Sequence, residues 1–78
     1  MSDLETQIKE MARIRTHVIP NGSEWKHLNT GRVYVAYHTL LIEATLEVGI
    51  TYSAHGSHHV LWMRPVSEFL DGRFERVK

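Results

Sequence analysis

The chain contains no cysteine, so neither a disulfide nor a thiolate metal site can brace it. At 78 residues it is a single small domain that buries only about 60% of the surface its unfolded chain exposes. It also lacks any apolar run near the roughly 18 residues a membrane span requires. Its opening stretch, MSDLETQIKE, is acidic and helical in character rather than basic and then apolar. Neither a membrane contact nor a secretion signal is expected, and a cytoplasmic setting fits the missing cysteines. Net charge is missing as well, with nine Lys plus Arg balancing nine Asp plus Glu, which argues against a dedicated nucleic-acid binder. Enzyme signatures are absent too. There is no glycine-rich phosphate loop and no G-x-S-x-G, and Ser53 and Ser57 stand near histidines at no spacing that separates a nucleophile from a turn residue. Glu43 and Glu47 are read as a solvated bend. No catalytic activity and no cofactor are expected.

What is present is ordinary globular composition, 42% apolar and 23% charged. Ser2 and Glu5 have capping-box spacing, and Leu4, Ile8 and Met11 recur on one helical face, predicting a helix over Asp3 to Ile14. That stripe either covers an open side of a sheet or pairs with a second copy, giving a homodimer through the N-terminal helix. Thr16 to Ile19 is expected to be extended, and Pro20-Asn21-Gly22-Ser23 to be a loop. The chain therefore divides into a helix and linker over 1–20 and a β domain over 21–78.

From Glu24 onward the apolar period becomes two. Glu24 to Leu28 and Arg32 to Leu41 read as strands around an Asn29-Thr30-Gly31 hairpin loop, and the second, apolar on both faces, belongs in the middle of the sheet. Residues 42 to 47 are ambiguous. Val48 to Ala54 is a clear strand, His55 to His58 a turn, and His59 to Met63 the next strand. Pro65 should stop pairing there. Val66 to Leu70 fits one helical turn whose Phe69 and Leu70 plug the fold, and Asp71-Gly72 is a tight turn into a last strand over Phe74 to Val77. One helix and five short strands, with a helical turn before the fifth, predict a mainly β protein: a small five-stranded Src-homology-3-like barrel or a rolled antiparallel sheet.

Trp25, His27, Thr30, Gly31 and Tyr34, then Glu43-Ala44-Thr45, Tyr52 and the string LWMRPVSEF from Leu61 to Phe69 resemble a family of small bacterial and phage-encoded proteins classed as a domain of unknown function. The resemblance covers about residues 24 to 77, and Asp71-Gly72-Arg73-Phe74 is similar to its phage-type members. It implies a compact barrel-like domain of phage, prophage or bacterial origin, and it carries over no catalytic residues. The N-terminal helix and the HGSHH turn fall outside the pattern.

Two sets of residues remain as site candidates. His55, His58 and His59 offer imidazoles within five positions, as a metal ion would need, with His27 or His38 as a distant further ligand. The plainer reading, which the sequence favours, is a solvated hairpin with no physiological metal. The second set is Arg64 with Glu68, Trp62, Trp25, Tyr34 and Tyr52. Arg64 paired with Glu68 would pin the helical turn to the sheet. Left unpaired beside the aromatics, it would bind an anion or a nucleotide. Trp62 is expected to be core. The leading functional expectation is a non-enzymatic module that binds a protein through an exposed barrel face or sheet edge. The alternatives are a small-ligand binder using Arg64 and, more weakly, a single-stranded nucleic-acid binder.

Overall fold

The computed structural model describes residues 3–78, with His58 described in its backbone alone. Helix α1 spans Leu4–Arg13. The Asp3 carboxylate caps it by accepting from the Thr6 N–H at 2.8 Å, and this bond holds the Asp3 carboxyl below its usual range. The capping residue expected at Ser2 lies outside the described residues.

The chain does not become extended after Ile14, as its sequence suggested. It widens into a π-helical turn over Ile14–Val18, closed by the Ile19 N–H donating to the Ile14 carbonyl at 2.7 Å. Ile14 and Ile19 are both core residues. The wider turn brings two side chains five positions apart toward one side, which ordinary α-helical spacing would not do. Burial of that pair overrides the β preference of Thr16 and Val18.

The strands are β1 (Glu24–His27), β2 (Val33–Leu41), β3 (Val48–Ala54), β4 (Ser57–Pro65) and β5 (Phe74–Arg76), with a one-turn helix α2 (Val66–Phe69) between the last two. They form one antiparallel sheet in the order β4-β3-β2-β1-β5. Of the two forms expected, a closed barrel and a rolled antiparallel sheet, the structure has the antiparallel sheet, left open: β4 and β5 are its edges, and no ladder joins them among the described residues. The doubly apolar β2 is central, as its pattern required.

Local pairing follows the turn chemistry. Gly31 adopts φ +75° and donates to the His27 carbonyl at 2.7 Å, closing the first hairpin. In β2 the register with β3 shifts between Ala36 and Thr39. There Thr51 Oγ1 accepts from the His38 N–H at 2.9 Å, replacing the lost ladder bond. Residues 42 to 47 form a turn rather than a helix, with Leu46 at φ +61°, and the Leu46 carbonyl accepts from Gln7 Nε2 at 2.8 Å, tying α1 to the sheet. The last hairpin turn is shorter than expected, because β4 already begins at Ser57. Pro65 is the final paired residue, opposite Gly49.

One face of the sheet holds the core. Phe69 is fully buried and stacks on Phe74 with centroids 4.3 Å apart, while Trp25 and Tyr52 meet it edge-on at 5.1 and 5.3 Å. Trp25 Nε1 donates to Ser23 Oγ at 2.9 Å, and Ser23 in turn donates to the Pro20 carbonyl. Two expected core residues lie elsewhere. Leu70 is exposed, because the helical turn directs only Val66 and Phe69 inward. Trp62 is 51% exposed, because β4 is an edge and Phe69 and Phe74 already fill the space that a closed barrel would have given the indole. On the opposite face, Gly49 lets Leu40, Ile42 and Met63 converge: a Cβ there would stand 3.1 Å from Leu40 Cδ1 and 3.2 Å from Met63 Sδ.

Candidate functional site

β1 lies between β2 and β5, so it draws the β1–β2 loop and the α2–β5 turn to one end of the sheet, beside the end of β4. Tyr52 pairs with Trp62 across the β3–β4 ladder, and Ile50 pairs with Arg64. Alternation then puts Trp62 and Arg64 on the core face, at its open rim. A cavity of about 240 Å³ forms there, lined by His27, Thr30, Tyr34, Tyr52, Trp62, Arg64 and Phe74. A second, wider groove of about 570 Å³ adjoins it along His27 and Arg64 and continues to Leu28, Asn29, Gly72 and Arg73.

The structure thus brings together four of the six residues predicted for this site: Arg64, Trp62, Tyr34 and Tyr52. Glu68 stands behind Arg64, its Oε1 3.5 Å from Arg64 Nη1. Trp25 is a correction. It is buried under Phe69 with its indole N–H already bonded, so it is a core residue and has no surface to offer a ligand. His27, Thr30, Phe74 and Arg73 were not foreseen as neighbours of Arg64. Their only sequence signal is that the Asn29-Thr30-Gly31 and Asp71-Gly72 turns flank strands that happen to pair.

Arg64 is held on three sides. Its Nε donates to the Tyr52 hydroxyl at 2.8 Å, its Nη1 faces Glu68, and its guanidinium lies 5.9 Å from the Phe74 ring centroid. Burial pushes the Tyr52 phenol above its ordinary pKa, and the Arg64 hydrogen bond only partly opposes that. The hydroxyl is therefore neutral at physiological pH and can both accept from Arg64 and donate outward. The sign of the linkage is direct: the native state keeps the phenol proton to higher pH than the unfolded chain does. Stability attributable to Tyr52 is full below the phenol's ordinary pKa and falls as pH rises through the raised one. Thermal unfolding followed from about pH 9 to about pH 11.5 should show a steeper alkaline loss in the wild type than in Tyr52→Phe. Parallel slopes would exclude Tyr52 as the source.

Arg73 is held similarly, with its Nε 3.0 Å from Asp71 Oδ2 and its Nη1 3.9 Å from Glu68 Oε1. Next to it, His27 Nδ1 lies 3.2 Å from Thr30 Oγ1, and the ring meets Phe74 edge-on at 4.9 Å.

The histidine turn has a different character. His55 Nε2 is 3.9 Å from Glu24 Oε2, His59 is exposed, and the side chain of His58 lies outside the described residues. Among the described residues, no group of three metal-ligating side chains is close enough to hold an ion. Nor, among them, is any helix long and apolar enough to cross a membrane.

No protein-family model matches the chain, and no curated protein or solved structure shows significant similarity to it.

Proposed function

We propose that the protein is a non-enzymatic protein-interaction module that works through the β4 edge of its sheet, and that the partner strand is β4 of a second copy of the chain. The observation that carries this reading is a run of four consecutive exposed apolar residues, Val60 to Met63, on an edge strand, with Leu61 61% exposed. Edge strands are normally guarded by lysine, inward charge or proline. Here the first guards are Arg64 and Pro65, at the very end of β4, and no Lys or Arg occurs anywhere from Val33 to Met63.

Charge points to a second copy as the occupant. In a two-fold antiparallel pairing each residue meets a residue of the same strand, so a charged edge would repel itself. Ser57 to Met63 carries no formal charge with its histidines neutral, and it supplies the apolar extended segment that such an edge accepts. The four side chains offer roughly 400 Å² per protomer, about half of a standard interface, so the dimer is a weak one that forms at micromolar concentration.

Sedimentation velocity from low to high micromolar protein tests this. The wild type should shift from monomer to dimer mass, while Leu61→Lys combined with Met63→Lys should stay monomeric with an unchanged circular dichroism spectrum. A wild type that stays monomeric throughout, or a double variant that dimerises equally well, would overturn the proposal.

A further inference from the structure

The two guanidinium groups beside the β1–β2 loop share an arrangement that neither the fold nor the edge pairing requires. Each is anchored through its Nε, Arg64 to the Tyr52 hydroxyl at 2.8 Å and Arg73 to Asp71 at 3.0 Å. Anchoring at Nε fixes the plane of the group and leaves the Nη edge directed elsewhere, the edge with which arginine binds planar or tetrahedral oxyanions in bidentate fashion. Both Nη1 atoms face one carboxylate, Glu68, at 3.5 and 3.9 Å. Those separations are too long for hydrogen bonds. Glu68 therefore balances the charge of the two arginines without using up their donors.

The groove these arginines line is about 570 Å³ and includes His27 and Asn29 in its wall, with no carboxylate among its lining residues. It shares His27 and Arg64 with the aromatic cavity, where Trp62 is half exposed and Tyr34 half-buried. A cationic compartment and an aromatic compartment thus meet at His27 and Arg64. Such a pair suits a ligand that has an anionic group at one end and a flat ring at the other.

We propose that this bipartite groove binds a nucleoside monophosphate, with Arg64 and Arg73 on the phosphate and Trp62 and Tyr34 against the base. A polymer is disfavoured because two guanidiniums can neutralise one phosphate group but form no track along a backbone, and the chain has no net positive charge. The phosphate draws the Nη edges away from Glu68, which lies outside the groove's lining, so Glu68 is a built-in competitor that limits affinity. The site shares Trp62 with the edge pairing, although Met63 packs over Gly49 on the opposite face of the sheet from Arg64, so binding is measured at protein concentrations below those at which the chain dimerises.

Trp62 makes the test optical, since Trp25 is buried and Trp62 is the indole a ligand can reach. Adenosine 5′-monophosphate, adenosine and inorganic phosphate are titrated separately into the full-length protein while emission is followed, and calorimetry repeats the titration on Trp62→Phe. The monophosphate should quench Trp62 saturably and bind about tenfold or more tighter than either fragment. Arg73→Gln, at an exposed position, should weaken it by about tenfold, and Glu68→Gln should tighten it. The increase on removing Glu68 is the decisive arm, because a purely structural salt-bridge cluster gives no gain. Absence of saturable binding to the monophosphate, an unchanged affinity in Arg73→Gln, or weaker binding in Glu68→Gln would overturn the proposal. So would an oligonucleotide that binds far more tightly with a steep salt dependence, which would assign the surface to a nucleic-acid polymer instead.

Discussion

Phe69→Ala is expected to cost about 4 kcal/mol of folding stability, the range for removing a buried phenyl ring that its surroundings cannot close over. Phe69 is fully buried and touches Trp25, Tyr52 and Phe74 at ring-centroid distances of 5.1, 5.3 and 4.3 Å. Those partners come from β1, β3 and β5, so the ring joins strands that are not all neighbours in the sheet. A domain of this length has roughly 4 to 12 kcal/mol in all, and the loss should lower the melting temperature by more than about 15 °C. Phe69→Leu, which keeps most of the volume, should cost less than half as much. Calorimetric melting of both variants checks this. A shift of only a few degrees in Phe69→Ala would mean that the sheet face closes without the helical turn, and that α2 is an ornament rather than the plug of the fold.

Arg64→Met is expected to cost about 2 kcal/mol, nearly all of it from the Tyr52 hydroxyl. The contact at 2.8 Å is a charge-assisted bond to a phenol that is itself buried in the core. Removing the donor takes from that oxygen its charge-assisted partner in the wall of the aromatic cavity. The ion pair with Glu68 adds little, because the two side chains are 30% and 49% exposed and 3.5 Å apart, where solvent screens most of the attraction. Glu68→Gln should therefore change stability by less than about 0.5 kcal/mol. Chemical denaturation of the two variants side by side separates the terms. Equal losses would show that the ion pair, and not the phenol, holds Arg64.

The expectation of an Arg64–Glu68 pair came from four-residue spacing across a proline bend, and spacing along one segment is information a sequence holds. The bond to Tyr52 was not legible, because it depends on β3 and β4 pairing so that Ile50 faces Arg64 and Tyr52 faces Trp62. Trp62 illustrates the opposite error. A large aromatic in an apolar run reads as core, but whether a strand is central or an edge is a property of the sheet order. Once β4 is an edge, Trp62 and its neighbours become surface. Trp25 fails in the reverse direction: grouped with the other aromatics as a ligand contact, it is removed from the surface by Ser23 and Phe69.

The N-terminal segment shows propensity losing to burial. Thr16 to Ile19 has β-branched residues and a following proline, both signals for an extended chain. The core contacts of Ile14 and Ile19, made with partners far along the chain, decide instead for a π-helical turn.

Sequence alone determined the mainly β class, the N-terminal helix, the glycine turns at Gly31 and Gly72, the central place of β2 and the short helical turn after Pro65, since periodicity and turn chemistry are local. Only the tertiary structure decided that the sheet stays open, that β4 is left with a bare apolar edge, and that Arg64 and Arg73 converge on one groove beside Trp62. Those features arise from which strands pair and in what register, and pairing energy is shared between residues dozens of positions apart.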